Sequence, residues 1–207
     1  MCADVGFKVT QPTEALTPFT VDGSELRVVI WTTTPWTMPA NLAIAVNGEL
    51  EYSVVTHPSL GGKKYMVAKE LVGALAKRMD DVLPEGAELE IVATFKGSEV
   101  TGTVYEHPFA GRESKVVLGG DYITTDSGTG LVHTAPGHGQ DDYLTGLKYG
   151  LELLSPVNDA GEFTSEAGDD LEGLSVLGEG NTRCIEKLRA SGALVREENY
   201  EHKYPYD

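Results

Sequence analysis

Short runs of apolar residues, separated by glycine, proline or asparagine, recur along most of this chain. Such runs, rich in valine, isoleucine and aromatic residues, are typical of β-strands, and the punctuation between them is typical of turns. We predict strands at residues 27–31, 42–46, 52–56, 65–68, 89–95, 115–118, 131–133 and 151–154. Many short strands without an internal repeat indicate a β-barrel or a sandwich.

Three segments show the three-to-four-residue apolar period of helices instead, at residues 69–79, 140–149 and 179–189. They interrupt the strands, so the predicted fold class is mainly β with helical insertions, built on a β-barrel. Residues 1–26 have weak periodicity, and we expect a peripheral segment at the edge of an excised piece. Residues 27–207 are expected to form a single domain on which that segment packs.

The composition sets outer bounds on the function. The chain has 207 residues, of which 41% are apolar, which suits one domain with a sizeable core. No run approaches the roughly twenty apolar residues of a membrane helix, and no signal-peptide pattern begins the chain. The two cysteines, Cys2 and Cys184, are far apart in sequence, so the chain shows no pattern of a disulfide framework or a zinc knuckle. We expect a cytoplasmic protein, or one in an organelle's stroma or matrix, without contact with a membrane.

The net charge is −16, from 32 acidic and 16 basic residues. This balance argues against sequence-independent adhesion to nucleic acid, because such binding needs lysine and arginine to neutralise phosphates. Residues 157–178 carry six acidic residues without a lysine or arginine, which predicts a solvated loop. A nucleic-acid partner would therefore be held locally or by another domain.

The segment Trp-Thr-Thr-Thr-Pro-Trp-Thr at residues 31–37 combines a strand end with clustered hydroxyl groups. Pro35 removes a ladder donor, so strand pairing should stop near Thr34 and leave Thr32, Thr33 and Thr34 where the strand opens. Their hydroxyls could bind a ligand, and Trp31 and Trp36 could stack on an unpaired base. The alternative is structural: threonine suits strands, and the Pro-Trp pair makes a corner.

The segment Gly-Thr-Gly-Leu-Val-His-Thr-Ala-Pro-Gly-His-Gly-Gln-Asp-Asp at residues 128–142 brings a turn, a strand and a helix start together. One acidic residue there can cap the helix, and adjacent helical side chains point about 100° apart. We therefore expect Asp141 to cap and Asp142 to face the loop, as an anchor for a ligand ammonium group. His133 is either a packing residue or part of the same site.

Other site classes fit the sequence poorly. The spacing of His133 and His138 matches no common metal motif, so we predict no metal and no cofactor. The Gly-Thr-Gly piece lacks the endings of phosphate-binding loops, and no serine or cysteine has a triad context. Hydroxyl donors, one carboxylate, a histidine and aromatic surfaces suit hydrolysis of an amino acid ester.

Both segments resemble the active-site peptides of the editing (CP1) domain of isoleucyl-tRNA synthetases, a class I aminoacyl-tRNA synthetase family. The resemblance runs from Trp31 to Asn41, from Gly128 to Pro156 and from Gly173 to Asn181. It ends with Glu-His-Lys-Tyr-Pro-Tyr at residues 201–206, similar to a strand that returns to the synthetic core.

Related families differ at these peptides. The valyl and leucyl editing domains carry Thr-Thr-Arg-Pro and lack the His-Thr-Ala-Pro-Gly-His string of residues 133–138, so the isoleucyl resemblance is favoured. The ATP-handling His-Ile-Gly-His and Lys-Met-Ser-Lys-Ser signatures are absent from this sequence. This chain should therefore not activate amino acids.

The resemblance implies a β-barrel-based editing domain that hydrolyses valine wrongly attached to isoleucine tRNA. Asp142 would hold the α-ammonium group, and His133 would line the side-chain pocket and exclude isoleucine. The hydroxyls and backbone of residues 32–34 would surround the ester and position the attacking water, while Trp36 and Asn41 would bind the substrate or support this peptide. No general base is implied.

The implied partners are the 3′ end of tRNA(Ile) carrying valine and the rest of a parent synthetase, with the domain itself monomeric. Two alternatives remain open. One is an insertion that only binds the tRNA end, with a catalytically weak site. The other is an editing domain of valyl-type specificity, which removes threonine from tRNA(Val).

Overall fold

The computed structural model describes residues 2–21 and 23–198. Its strands are β1 (Cys2–Gln11), β2 (Glu25–Thr32), β3 (Ala43–Val46), β4 (Glu51–Thr56), β5 (Lys63–Ala68), β6 (Glu90–Lys96), β7 (Val104–Glu106), β8 (Glu113–Leu118), β9 (Leu131–Thr134) and β10 (Leu194–Glu198). The α-helices are α1 (Val72–Arg78), α2 (Gly97–Val100), α3 (Gln140–Tyr149) and α4 (Glu179–Ala190). Short 3-10 helices include Pro35–Ala40, which begins three residues after the end of β2. The expected strand at residues 201–206 lies outside the described residues.

The ten strands form one mixed sheet in the order β6-β4-β5-β2-β1-β7-β8-β3-β9, with β10 paired to β1. The pair of β2 with β5 and the pair of β3 with β8 are parallel, and the other pairs are antiparallel. The mainly β fold with helical insertions is confirmed. Among the described residues no pairing joins β6 to β9, so closure into a barrel is not confirmed.

Most predicted elements are present at nearly the predicted bounds. Seven predicted strands correspond to β2, β3, β4, β5, β6, β8 and β9, and the three predicted helices to α1, α3 and α4. The predicted strand at 151–154 is wrong: α3 ends at Tyr149, its C-cap Gly150 has left-handed backbone (φ 66°), and the next residues form no ladder. Leu153 there is 61% exposed. A short apolar run does not by itself distinguish a strand from other structure.

Residues 1–26 were expected to be peripheral, but the structure places their first strand inside the sheet. β1 lies inside the sheet between β2 and β7, and its residues from Cys2 to Phe7 are buried. A strand covered on both faces lacks polar alternation, and β1 also contains Gly6 and the buried Asp4. Asp4 is compensated by Arg78 of α1, whose guanidinium donates to both carboxylate oxygens at 2.9 and 2.8 Å.

The acidic stretch at 157–178 is more than a solvated loop. Phe163 and Leu171 are buried in a small apolar cluster with Cys184 of α4, against which Trp36 packs. Backbone bridges join Val157 to Phe163 and Glu162 to Ser175 within the stretch. The charged side chains stay at the surface while the few apolar residues fold beneath them, and a count of charges does not detect this burial.

No helix in the described part of the chain is long and apolar enough to cross a membrane.

Candidate functional site

A cavity of about 340 Å³ opens where β2 ends, beside β9 and the first turn of α3. The structure brings the two polar sequence segments together there, although they are about a hundred residues apart. The lining residues are Trp31, Thr32, Thr33, Thr34, Thr37, Tyr122, Ile123, Thr124, residues 127–133, Ala135, His138 and Asp142.

The threonine peptide lines one side of this cavity. β2 ends at Thr32, and Pro35 starts the 3-10 helix, which turns the chain across the cavity. The Thr34 N–H donates to Thr32 Oγ1 at 3.0 Å, which fixes the corner from within. Thr32 is buried by this turn, whereas Thr33 and Thr34 are exposed. The hydroxyls at 33 and 34 are therefore accessible to a ligand.

Asp142 faces the cavity from the first turn of α3. Its Oδ2 accepts a hydrogen bond from the Ala135 N–H at 3.0 Å, which ties the helix start to the end of β9. Burial raises the pKa of Asp142, and the neighbouring charge of Asp141 raises it further, against the lowering by the Ala135 bond. The expected capping by Asp141 is wrong, because the N-cap of α3 is Gly139 and has no side-chain cap.

His133 extends from β9, which pairs with β3, and both of its ring nitrogens have partners. Nδ1 lies 2.7 Å from Asn41 Nδ2, and Nε2 lies 2.9 Å from Thr37 Oγ1. Burial lowers the pKa of His133 to about 3, with smaller contributions from His107 and His138. The ring is therefore neutral at physiological pH and offers no free nitrogen for proton transfer.

Trp36 and Asn41 lie behind the cavity and are not among its lining residues. The Trp36 backbone N–H donates to Asn181 Oδ1 of α4 at 3.1 Å, and the Trp36 ring packs edge-on against His138. Asn41 is fully buried and donates to Ala43 O at 3.0 Å as well as bonding to His133. Both residues hold the threonine peptide and His133 in place from the protein side.

Thr37 and the loop before β9 belong to the two polar segments and line the cavity, although the sequence predicted no separate role for them. The Gly130 carbonyl accepts from Tyr52 Oη at 2.5 Å, and the Thr129 carbonyl accepts from the Ala68 N–H at 2.8 Å. Gly130 has φ 79°, and a Cβ on it would lie 2.5 Å from the Ala68 Cβ. Its glycine is the signal that could have revealed this close approach, because the adjoining strand leaves no room for a side chain.

The electrostatic character of the cavity favours a cationic group at one end. Among the residues that the structure describes, Asp142 is the one acidic residue that lines it, and His133 and His138 both have a pKa lowered by burial. The remaining polar lining is hydroxyl and backbone. Among the described residues, no group of three or more His, Cys, Asp or Glu side chains could hold a metal ion.

Comparisons with known proteins place this arrangement in context. No protein-family model matches the chain. It is 55% identical over 208 aligned residues to an isoleucine–tRNA ligase from Nostoc sp., covering 97% of this chain and 21% of that protein. It is 53% identical to the chloroplastic/mitochondrial isoleucine–tRNA ligase of Arabidopsis thaliana, covering 87% of this chain and 18% of that protein.

A solved structure shares the fold. The editing domain of the P. falciparum cytosolic leucyl-tRNA synthetase superimposes with a TM-score of 0.68 at 11% identity, covering 95% of this chain and 99% of that chain. Against the two isoleucine–tRNA ligases, the chain spans about a fifth of their length. These two relatives confirm the resemblance to isoleucyl-tRNA synthetases that was drawn from the two peptides.

Proposed function

We propose that this chain, which is homologous to a segment of isoleucine–tRNA ligases and has an editing-domain fold, hydrolyses valine from mischarged Val-tRNA(Ile). The observation that carries the proposal is the convergence of the Asp142 carboxylate, the His133 ring and the hydroxyls of residues 32–34 on one cavity. A carboxylate suits the free α-ammonium group of an aminoacyl ester, and hydroxyl donors suit its polar carbonyl end.

The size of the cavity supports a small aminoacyl group. About 340 Å³ is near the lower end of the range for ligand pockets, roughly 300–1,000 Å³. A synthetic site separates isoleucine from valine by only about 1–3 kcal/mol, since one methylene distinguishes them, and this pair is the standard example of that limit. A second, smaller site can admit valine and reject isoleucine, because overpacking costs about 1–3 kcal/mol.

The proposed reaction is attack of water on the ester carbonyl. Asp142 holds the ammonium group, and His133 contacts the branched side chain. Donors among Thr32, Thr33, Thr34 and their backbone orient the water and stabilise the oxyanion as it forms. The bond from the carbonyl carbon to the ribose oxygen breaks, the ribose oxygen takes a proton, and free valine and tRNA are released. His133 is assigned to recognition, because both of its nitrogens are occupied.

Delivery of the tRNA end is proposed to depend on the parent synthetase. A chain with net charge −16 gives little electrostatic attraction for a whole tRNA, so the isolated domain should bind it weakly. Trp31, 36% exposed beside the cavity, offers a face on which a terminal base can stack. We therefore expect deacylation by the isolated chain only at elevated enzyme or substrate concentration.

The test measures release of labelled amino acid from Val-tRNA(Ile), Ile-tRNA(Ile) and Thr-tRNA(Val), with this chain at low and high concentration. Release of valine from Val-tRNA(Ile) alone, at high concentration, supports the proposal. Faster release of threonine from tRNA(Val) would instead favour the valyl-type specificity. Binding of the tRNA 3′ end without any release would favour an insertion that only guides the tRNA.

A further inference from the structure

A chain of hydrogen bonds runs from the interior to His133. The buried Tyr105 hydroxyl donates to Asn41 Oδ1 at 2.6 Å, and Asn41 Nδ2 donates to Ala43 O at 3.0 Å. These two bonds fix the orientation of the amide, because a flipped Asn41 would place its oxygen against the Ala43 carbonyl. The second N–H of Asn41 Nδ2 then points to His133 Nδ1, 2.7 Å away. Nδ1 must accept this bond and therefore carries no proton.

The other ring nitrogen is constrained from the opposite side. Thr37 Oγ1 lies 2.9 Å from His133 Nε2 and donates its own proton to the Thr34 carbonyl at 2.8 Å. With its proton used, the Thr37 hydroxyl accepts from Nε2–H. The same chain of bonds thus joins the interior, His133 and the backbone of the threonine peptide.

We propose that Tyr105 and Thr37 are positioning residues, which through Asn41 and the Thr34 carbonyl hold His133 as a fixed, neutral ring protonated on Nε2. The consequence for selectivity rests on the proposed function: a ring locked at both nitrogens cannot rotate away from an incoming side chain. The cavity then keeps one size, which is what discrimination of a single methylene requires.

Tyr105, at the interior end of this series of hydrogen bonds, is held rigid by its surroundings. Tyr105 is fully buried and packs edge-on against Phe7, with ring centroids 5.1 Å apart. Burial raises the pKa of Tyr105, so its hydroxyl keeps the proton that it donates, and Ser114 provides a further side-chain hydrogen bond. Tyr105→Phe keeps this packing and removes the donor to Asn41, together with the hydrogen bond to Ser114. The freed amide can then rotate, and the proton position on His133 is constrained only from the Thr37 side.

The direct test is nitrogen NMR of the free protein with labelled histidine, which needs no deacylation. We expect the parent chain to show His133 protonated on Nε2 alone. Tyr105→Phe should show a mixture of both tautomers, while Tyr65→Phe, a control at a buried tyrosine of β5, should match the parent. A parent His133 protonated on Nδ1, or an unchanged tautomer in Tyr105→Phe, would overturn the proposal.

A second variant tests the Thr37 end, in case Tyr105→Phe fails to fold. Thr37→Val removes the acceptor of Nε2–H, so exchange of that proton with water should accelerate about tenfold. Thr37→Ser keeps the hydroxyl and should restore the slow exchange. Equal exchange in the valine and serine variants contradicts the role of the hydroxyl.

The selectivity readout separates this proposal from the proposed function. In Tyr105→Phe and Thr37→Val, the ratio of Val-tRNA(Ile) to Ile-tRNA(Ile) hydrolysis should fall about tenfold, the size expected for one unpaired buried polar group. Tyr65→Phe should keep the parent ratio. An altered tautomer with an unchanged ratio would refute the link to selectivity. Absence of hydrolysis in every protein, with the expected NMR result, would refute the proposed function and leave the positioning roles standing.

Discussion

Replacing Asp142 with asparagine removes the charge of the proposed ammonium anchor and little else. In the parent, the Ala135 N–H donates to Asp142 Oδ2 at 3.0 Å. The Oδ1 atom of an asparagine can accept the same hydrogen bond, so the start of α3 should stay in place. Burial raises the pKa of Asp142, which means that the folded state favours the protonated form more than the unfolded chain does. The charged carboxylate therefore costs stability at neutral pH, and Asp142→Asn should fold at least as stably as the parent.

The loss of activity can be sized from the interaction removed. A hydrogen bond to a charged group contributes about 1.5–3 kcal/mol, which corresponds to a decrease in kcat/KM of about 10- to 150-fold for Val-tRNA(Ile). Asp141→Asn is the matched control, because Asp141 is the adjacent exposed acidic residue and does not line the cavity. It should change kcat/KM by less than about threefold, since surface charges contribute little. The assay is valine release at subsaturating substrate, with thermal unfolding of each variant as the folding control.

The pH dependence provides an internal check on the same residue. Binding of the ammonium group needs the Asp142 carboxylate, so kcat/KM of the parent should fall as the pH decreases through the raised pKa of Asp142. This acidic limb should be missing from the residual activity of Asp142→Asn. Equal losses in Asp142→Asn and Asp141→Asn, or an acidic limb that survives in Asp142→Asn, would refute the assignment of the anchor.

Other consequences can be measured separately. His133→Ala should enlarge the cavity and raise hydrolysis of Ile-tRNA(Ile) about tenfold, and continued protection of that product would contradict the steric role. Gly130→Ala should lower the free energy of unfolding in urea by about 1–3 kcal/mol more than Gly128→Ala, because both positions have positive φ but only position 130 meets the Ala68 Cβ at 2.5 Å. Burial lowers the pKa of His107 to about 4, so the free energy of unfolding should fall between about pH 6.5 and 4, by on the order of 3 kcal/mol for this residue. His107→Gln should lack that part of the decrease, and an identical pH dependence would argue against it.

Local sequence patterns carried most of the secondary structure of this protein. β2 and β4 have apolar runs bounded by turn residues, and α4 has a helical period that ends before Gly192, so their formation depends mainly on near neighbours. β1 could not be recognised in this way. It is covered on both faces and carries a buried carboxylate whose partner, Arg78, is 74 residues away.

The features of the candidate site also divide into those visible in the sequence and those that only tertiary contacts produce. The polar clusters at residues 31–37 and 128–142 are visible as sequence motifs, and their chemistry led to Asp142 and His133. The role of Asn41 as a link, and the presence of Thr37 beside His133, depend on contacts across 92 and 96 residues. No local period encodes which side chains meet across such separations.

The sequence by itself determined most of the segments that become strands and helices, and the two peptides that hold hydroxyl, imidazole and carboxylate groups, because these depend on residue type and short spacing. Only the tertiary structure decided that Tyr105, Asn41, His133 and Thr37 form one chain of hydrogen bonds. The register of β3 against β9 and the turn after β2 set those distances, and both result from packing the whole sheet.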